Sequence, residues 1–350
     1  MTSPSSTPAR LADRNPVIPP DQLVAQLVPP PMFDDAGPNA VSFDSYLPDP
    51  GQPSQAAAVA AARTFAERVR QLRGGGKWRL FGKGKQAGGA GLYLDGGFGV
   101  GKTHLLASIY HGSPAPKSFG TFVELTHLVG ALGFNNTVER LAGNSVLCID
   151  EFELDDPGDT MLVSRLLSEL TARGVSIAAT SNTLPGQLGE GRFAAQDFLR
   201  VIKKLAGLFE TIRVDGPDYR HRDLPPAPEP ISSAELAGRA AAAPGATLDD
   251  FDTLLAHLER LHPSRYGALV DGVREVFIDN LHPVSDQAVA LRMVVLADRL
   301  YDASIPVTVS GAKLDEIFTA DMLDGGYRKK YLRATSRLLA LSRFSAQSAA

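Results

Sequence analysis

The sequence contains very little cysteine and tryptophan and no long apolar run. Among its 350 residues there is one cysteine, Cys148, and one tryptophan. A lone cysteine excludes an intramolecular disulfide framework and a cysteine-cluster metal site, so we expect a reducing compartment. No stretch approaches the roughly 18 uninterrupted apolar residues of a transmembrane helix, which argues against a membrane-spanning protein. A single tryptophan leaves no visible aromatic platform for stacking single-stranded nucleic acid.

The chain also lacks a strong excess of charge of either sign. Lysine and arginine number 35 against 39 acidic residues, which gives a formal net charge of −4. That balance excludes a broadly basic nucleic-acid coat, although a local basic groove stays open, and we expect no nucleic-acid partner. The N-terminus has no apolar signal-peptide core, so we predict a cytoplasmic protein. An organelle transit peptide is the alternative, and Asp13 argues against it.

Composition divides the chain into four segments. Residues 1–55, rich in proline, serine and aspartate, are predicted to form an extended N-terminal arm. Residues 56–222 form a first α/β region, 223–247 a linker, and 248–345 a second α/β region that ends in an arginine-bearing helix. Apolar strands alternate with helical segments in the first region, including a strand predicted at 121–125. Such alternation predicts βαβ units and a parallel sheet.

A glycine-rich segment between a predicted strand and a predicted helix carries the strongest signal. The sequence GGFGVGKT at 96–103 fits the pattern G-x-x-x-x-G-K-[ST] of a phosphate-binding loop, the P-loop. Its glycines let backbone N–H groups point at phosphate oxygens, and the helix N-terminus adds a partial positive charge. Lys102 is predicted to reach the β- and γ-phosphates, and the Thr103 hydroxyl to ligate Mg²⁺. The predicted nucleotide-binding residues are Gly96, Gly97, Phe98, Gly99, Val100, Gly101, Lys102, Thr103 and His104.

A second motif places two acidic residues at the end of an apolar strand. In SVLCIDEFELDD at 145–156, the strand delivers Asp150 and Glu151 to its carboxyl end. Ligands bind at that edge of open parallel sheets. We therefore predict that Asp150 coordinates Mg²⁺, directly or through water, and that Glu151 is the general base that orients an attacking water. An acidic capping pair is the alternative, and the upstream P-loop disfavours it.

A third strand ends in polar residues, in SIAATSN at 176–182. Asn182, or else Thr180 or Ser181, is predicted to contact the γ-phosphate or the attacking water. The alternative is a polar turn that only ends the strand. Because a strand and a helix lie between the P-loop and Asp150, the strands that carry these two motifs need not be neighbours.

These motifs occur with others in an order that resembles one family. The pieces are FDSYLPDPGQPSQ (43–55), GLYLDGGFGVGKTHLL (91–106), LCIDEFELDDPGDTM (147–161), ATSNTLPGQL (179–188), VDGPDYR (214–220), RLYDASIPVTVSG (299–311) and RATSRLLAL (333–341). The chain resembles the ZapE and mitochondrial Afg/lactation-elevated ATPases, a branch of the AAA+-like P-loop proteins, over roughly residues 20–345. It does not resemble the GTPases, whose N-K-x-D base-reading motif is absent.

The resemblance implies a fold, an activity and partners. The fold expected is a P-loop NTPase of the additional-strand, AAA+-like type with a parallel sheet, plus a C-terminal α/β region. The activity expected is Mg²⁺-dependent ATP hydrolysis, in cell division, on the ring of the tubulin-like protein FtsZ, with membrane association at most peripheral. Two other functions stay open: a DNA-associated ATPase such as a helicase loader, and a nucleotide-gated scaffold with little turnover.

The resemblance also implies a homo-oligomer with shared active sites. No arginine lies within the P-loop or beside Asp150, and AAA+-like enzymes usually take an arginine from a neighbouring subunit. The candidates for that catalytic arginine are Arg192, Arg200, Arg333 and Arg337. For Arg333 and Arg337 the alternative is pairing with acidic partners in a packed terminal helix.

The second α/β region shows a weak internal similarity to the first. VFIDN (276–280) and RLYDASIPVTVS (299–310) mirror LCIDE (147–151) and ELTARGVSIAATS (169–181), at sequence offsets that are nearly equal. The simpler interpretation is that two generic βαβ units have similar compositions. A degenerate repeat without its own P-loop is the alternative.

Overall fold

The computed structural model describes most of the chain in two compact units. The described residues are 8–19, 22–37, 40–74, 88–97, 99–152, 157–184, 201, 203–217 and 228–348, the side chains of 157, 329 and 344–348 excepted. The first unit is Pro19–Tyr219, and the second unit combines Met1–Ile18 with Arg220–Ala350. Within the described residues, no helix is both long enough and apolar enough to cross a bilayer.

The first unit is a parallel sheet with helices packed against it. Its elements are α1 (Pro53–Gly74), β1 (Gly91–Gly96), α2 (Lys102–Gly112), β2 (Ser118–Thr121), α3 (Phe122–Leu132), α4 (Phe134–Leu141), β3 (Val146–Asp150), α5 (Pro157–Ala172), β4 (Ser176–Ser181) and β5 (Glu210–Val214). The strand order is β2-β3-β4-β1-β5, and every neighbouring pair is parallel. β4 therefore lies between the P-loop strand β1 and the Asp150 strand β3. This order confirms the predicted P-loop fold of the additional-strand type.

The strand predicted at 121–125 is wrong. β2 ends at Thr121, and α3 begins at Phe122. The Thr121 hydroxyl accepts the Glu124 N–H, and the Glu124 carboxylate accepts the Thr121 N–H at 2.7 Å. This capping box satisfies two N–H groups that the first turn of a helix otherwise leaves unpaired, so the chain turns into a helix where its apolar residues alone suggest a strand.

The second unit contains a smaller parallel sheet. Its elements are α6 (Ser233–Ala242), β6 (Ala246–Asp250), α7 (Phe251–Arg260), α8 (Tyr266–Val270), β7 (Glu275–Leu281), α9 (Gln287–Asp302), β8 (Val307–Gly311), α10 (Ala320–Asp324) and α11 (Arg328–Ser348). The strand order is β6-β7-β8. Its main core lies between α7, α9, α11 and the sheet.

Two segments outside the predicted α/β regions, the linker and the N-terminal arm, contribute to this unit. The described part of 223–247 contains α6, whose Leu236 is fully buried against Phe277 of β7. In the arm, Leu11 is also fully buried, and the Asp249 carboxylate accepts the N–H groups of Leu11 and Ala12, each at 2.9 Å. The division into arm, core, linker and C-terminal region stays a prediction.

Candidate active site

The P-loop connects the end of β1 to the start of α2. Gly99 and Gly101 have φ values of +64° and +85°, the left-handed conformation that glycine adopts without strain. A Cβ on Gly96 would lie 2.2 Å from the Val214 carbonyl oxygen of β5, so the strand pairing leaves no space for a side chain there. Phe98 lies outside the described residues. The loop thus leads directly into the N-terminus of α2, where unpaired backbone N–H groups favour an anion.

Tyr46 of the N-terminal arm packs against this loop. Its hydroxyl donates a hydrogen bond to the Val100 carbonyl at 2.7 Å. Its ring covers Gly101 so closely that a Cβ there would lie 2.4 Å from the Tyr46 Cε2 atom. Sequence reasoning missed this residue as part of the site, although the segment 43–55 belongs to the family motifs. The arm therefore supports the P-loop from outside the α/β core.

His104, one of the predicted nucleotide-binding residues, contacts the same arm. Its Nε2 atom lies 3.1 Å from the Ser45 hydroxyl oxygen and 2.9 Å from the Ser42 carbonyl oxygen. Burial lowers the pKa of His104, and the contact with the Ser42 carbonyl opposes that shift. The described contacts of this ring are thus all with the arm, including Tyr46, whose ring centroid lies 5.5 Å away.

Lys102 lies in contact with the end of β4. Its Nζ atom donates to the Gly96 carbonyl at 2.8 Å, to the Gly97 carbonyl, and to the Asn182 Oδ1 atom at 3.0 Å. Asn182 follows β4, which pairs with β1. Two predicted site residues that lie 80 positions apart in sequence are therefore direct neighbours.

Thr103 and Asp150 form the second contact between predicted site residues. The Thr103 hydroxyl lies 3.1 Å from Oδ2 and 3.3 Å from Oδ1 of Asp150. Asp150 ends β3 and is buried, with 9% of its surface exposed. A hydroxyl beside a carboxylate at the carboxyl edge of a parallel sheet is a donor set of hard oxygens, which suits Mg²⁺.

Glu151 follows Asp150 in an unusual backbone conformation. Its φ is +53°, which is uncommon for a residue with a side chain. Its N–H donates to the Thr180 hydroxyl at 3.2 Å, and the Thr180 hydroxyl in turn donates to the Asp150 carboxylate. Thr180, considered from the sequence as a phosphate contact, therefore bonds to both residues of the acidic pair.

A cluster of three charged residues that the sequence analysis did not identify lies beside the P-loop. Arg213 on β5 donates to Asp95, a fully buried residue of β1, and to Asp215 at 2.8 Å. The hydrogen bond from Arg213 lowers the pKa of Asp215. The sequence places charged residues in both LYLDG and TIRVD, but these residues do not specify a pairing between strands.

The four candidate arginines have different positions. Arg192 and Arg200 lie outside the described residues. Arg333 and Arg337 lie in α11 and both contact the buried Asp298 of α9, Arg333 at 2.7 Å. The positive charges of Arg333 and Arg337 outweigh the burial of Asp298, so the pKa of this carboxyl is lowered. This ion-pair cluster matches the structural alternative stated for Arg333 and Arg337, and their role as catalytic arginines stays a prediction.

The residues at the edge of the first sheet fit a phosphate–magnesium ligand. The left-handed glycines shape the loop, and the N-terminus of α2 and the Lys102 ammonium supply positive potential. Thr103 and Asp150 supply oxygen ligands for a divalent cation. Glu151 is the adjacent carboxylate that could orient a water molecule.

Part of the chain is similar in sequence to known proteins. The protein is 35% identical over 146 residues to "Cell division protein ZapE" of Escherichia coli K12, a stretch that covers 38% of this chain and 39% of ZapE. It is 35% identical over 86 residues to "Lactation elevated protein 1 homolog B" of Danio rerio, covering 23% of this chain and 16% of that protein. The chain thus spans less than half the length of the curated relatives it matches.

Among solved structures, AMPPCP-bound DnaA from Aquifex aeolicus is similar with a TM-score of 0.40 and 12% identity, covering 90% of this chain and 93% of that chain. This score is low, and the fold assignment depends on the strand order of the chain itself.

The model of the family described as AFG1-like ATPase matches residues 17–236 and 226–348. The match extends over nearly the whole chain and includes the P-loop, Asp150 and Thr180, and the chain therefore belongs to the AFG1-like ATPase family.

Proposed function

We propose that the protein is a Mg²⁺-dependent ATPase whose site is the P-loop edge of the first unit. The observation that carries this proposal is the contact of Thr103 on the P-loop helix with Asp150 on β3. Lys102 precedes Thr103 in the chain and donates to Asn182, while the Glu151 N–H donates to the Thr180 hydroxyl, which bonds to Asp150. These contacts support the proposal that this edge of the sheet binds phosphate and a divalent cation and carries the base.

The residues divide the work of hydrolysis between them. Lys102 and the loop N–H groups bind the β- and γ-phosphates, and Thr103 and Asp150 hold Mg²⁺. When bound, Mg²⁺ neutralises charge that develops on the phosphate oxygens. Glu151 orients the attacking water, and Asn182 contacts the γ-phosphate or that water. Tyr46 keeps the loop in its phosphate-binding conformation.

We further propose that active sites are shared between copies of the chain in a homo-oligomer. An arginine from a neighbour would meet the charge on the γ-phosphate, a role worth about 10³–10⁵ in turnover in enzymes that use one. Because Arg333 and Arg337 already contact Asp298, we propose that Arg192 or Arg200, rather than Arg333 or Arg337, is this catalytic arginine. Mixing Arg200→Ala protein with Lys102→Ala protein should then restore activity, since each supplies what the other lacks.

The biological setting proposed is cell division in the cytoplasm. The relative that is 35% identical over 146 residues is named a cell division protein, and the resemblance implies action on an FtsZ-type ring protein. Co-sedimentation of FtsZ polymers with the ATP-bound Glu151→Gln protein tests this partner. Sedimentation that is equal with and without FtsZ polymers would contradict it.

The proposed activity is tested by phosphate release in steady state. Wild-type protein should release phosphate from ATP with Mg²⁺ and should stop when EDTA removes the metal. Lys102→Ala should bind ATP more weakly, because it removes a positive charge from the phosphates. Absence of phosphate release despite tight ATP binding would favour a nucleotide-gated scaffold. DNA binding that weakens steeply with salt would favour a DNA-associated ATPase.

A further inference from the structure

Thr180 occupies a junction in the first unit. Its hydroxyl accepts the Glu151 N–H at 3.2 Å and donates to Oδ1 of Asp150, while Thr103 lies 3.1 Å from the other oxygen, Oδ2. Thr180 is buried, with 2% of its surface exposed. One hydroxyl thus fixes the proposed metal-binding carboxylate and the backbone of the proposed base together.

The second unit contains the same arrangement without any of these residues. The Ser310 hydroxyl on β8 accepts the Asn280 N–H at 2.9 Å and donates to Oδ1 of Asp279 on β7. Asn280 has a φ of +59°, close to the +53° of Glu151. Among the described residues, only Glu151, Asn280 and Ser304 combine a side chain with a positive φ, and two of these three follow the aspartate of such a trio.

The strands around the two trios pair in matching register. Thr121 of β2 lies opposite Asp150, and Asp250 of β6 lies opposite Asp279. Asp250 therefore follows Thr121 by the same number of residues by which Asp279 follows Asp150. On the other side of the central strand, Ile149 pairs with Ala179, and Ile278 pairs with Val309. Ile278 follows Ile149 by that same number of residues, and Val309 follows Ala179 by one residue more. The order of strands in β6-β7-β8 therefore copies that of β2-β3-β4.

The outer edges of the two sheets match as well. In the first unit the Phe119 N–H of β2 donates to the Leu27 carbonyl of the arm at 2.8 Å. In the second unit the Leu248 N–H of β6 donates to the Ala9 carbonyl of the arm at 2.9 Å. Leu248 follows Phe119 by the same offset that separates Asp279 from Asp150, so the arm contacts equivalent positions of the two sheets. A similarity in composition alone does not produce matching registers, matching edges and matching positive φ values.

The second sheet lacks the part of the first that binds phosphate. Within the described residues it consists of β6, β7 and β8, with no strand equivalent to β1 beside β8. Glu151 has an asparagine as its counterpart, which cannot serve as a base. Ser310 nevertheless makes both hydrogen bonds that Thr180 makes. The hydroxyl therefore has a role in holding the strand ends that does not depend on a phosphate.

From this correspondence we infer that Thr180 is a positioning residue, which orients Asp150 for Mg²⁺ and holds Glu151 in its left-handed conformation. The catalytic part of this inference rests on the proposed ATPase function. Residues that hydrogen-bond a metal ligand fix its orientation, and their loss typically costs about 10–100-fold in metal affinity or activity. The second unit contains a degenerate copy of the β2–β4 segment, which keeps these hydrogen bonds but lacks the P-loop and the base.

The chain provides its own matched control for a test. Thr180→Val removes the hydroxyl at nearly constant volume, Thr180→Ser restores it, and Ser310→Ala removes the equivalent hydroxyl from the second unit. We expect Thr180→Val to lower kcat about 10–100-fold and to raise the Mg²⁺ concentration for half-maximal rate, with little change in KM for ATP. Thr180→Ser should recover most of kcat, and Ser310→Ala should keep wild-type kinetics.

A second measurement works without turnover. Hydrogen–deuterium exchange of the peptide around 150–152 should accelerate in Thr180→Val and return to the wild-type rate in Thr180→Ser. Exchange around 279–281 should accelerate only in Ser310→Ala. If the wild type hydrolyses no ATP, the proposed function fails, and the exchange result alone decides whether Thr180 holds Asp150 and Glu151. Unchanged exchange in Thr180→Val, or unchanged kcat and Mg²⁺ dependence in an active enzyme, would overturn the inference.

Discussion

The Thr103 hydroxyl on α2 lies 3.1 Å from the Asp150 carboxylate at the end of β3. The strands β1 and β3 do not pair, because β4 separates them, so this contact joins two motifs that the sheet itself keeps apart. The proposed site depends on this contact, because it brings the P-loop helix and the acidic strand together. The following predictions depend on it and on the contacts around it.

Thr103→Ala is expected to weaken the binding of ATP in the presence of Mg²⁺ more than the binding of ATP without the metal. The change removes one of the two proposed oxygen ligands but keeps Lys102 and the loop N–H groups. Titrating ATP in the presence of Mg²⁺ and of EDTA measures both affinities. Thr103→Ser, which keeps the hydroxyl, should behave like wild type. An equal loss with and without Mg²⁺ would show that Thr103 does not serve the metal.

Tyr46→Phe is expected to weaken nucleotide binding although Tyr46 lies in the arm. The change deletes the hydrogen bond to the Val100 carbonyl, a loss of about 0.5–1.5 kcal/mol, and lets the P-loop relax. Tyr266→Phe is the matched control, because it deletes a 2.7 Å bond to the Leu258 carbonyl in the second unit. Calorimetric titration with ATP should separate the two variants. Equal affinities would mean that the arm does not stabilise the loop.

Asp298→Asn is expected to destabilise the second unit by roughly 3–5 kcal/mol, because it leaves Arg333 and Arg337 without their shared buried carboxylate. Since the folded pKa of Asp298 is lowered, its stabilisation is present above the ordinary aspartate pKa of about 3.9 and is lost as the pH falls through the lower, folded value. Urea unfolding at pH 7 and at acidic pH measures this. A difference between wild type and Asp298→Asn that does not shrink in acid would contradict the ion-pair account.

Cys148 is expected to react slowly with thiol reagents in the native protein. It is fully buried in β3, and burial raises the pKa of its thiol, so little thiolate forms at neutral pH. Reaction should accelerate sharply once urea unfolds the chain. Rapid labelling of the native protein would instead require an accessible thiolate at this position.

The residues that meet at the candidate site were predictable from sequence because its motifs are contiguous. Each motif is about ten residues long and indicates both a local structure and a function: the P-loop spacing indicates a phosphate-binding turn, and the apolar strand ending in Asp150 and Glu151 indicates a metal ligand and a base. Parallel strands place their carboxyl ends at one edge, so the convergence of Lys102, Thr103, Asp150 and Asn182 follows from the sheet. The fold class was predictable for the same reason.

Contacts between distant segments were not predictable in this way. Tyr46 reaches Val100 across 54 residues of sequence, and nothing in the arm specifies which loop its hydroxyl meets. The role of Thr180 depends on the pairing of β3 with β4 and on a positive φ at Glu151, neither of which a sequence pattern states. The start of α3 is different: the T-x-x-E capping box at Thr121 and Glu124 was present in the sequence and could have corrected the strand predicted at 121–125.

The most direct test of the account is single-turnover hydrolysis of labelled ATP by wild-type protein and by Glu151→Gln, both in excess over nucleotide. This measurement separates the chemical step from nucleotide binding and product release. The account predicts that wild type converts bound ATP to ADP, while Glu151→Gln binds ATP with similar affinity and leaves it intact, because the amide cannot orient the attacking water as a base. Conversion at the same rate in both proteins would contradict the assignment of Glu151 as the base at the P-loop edge.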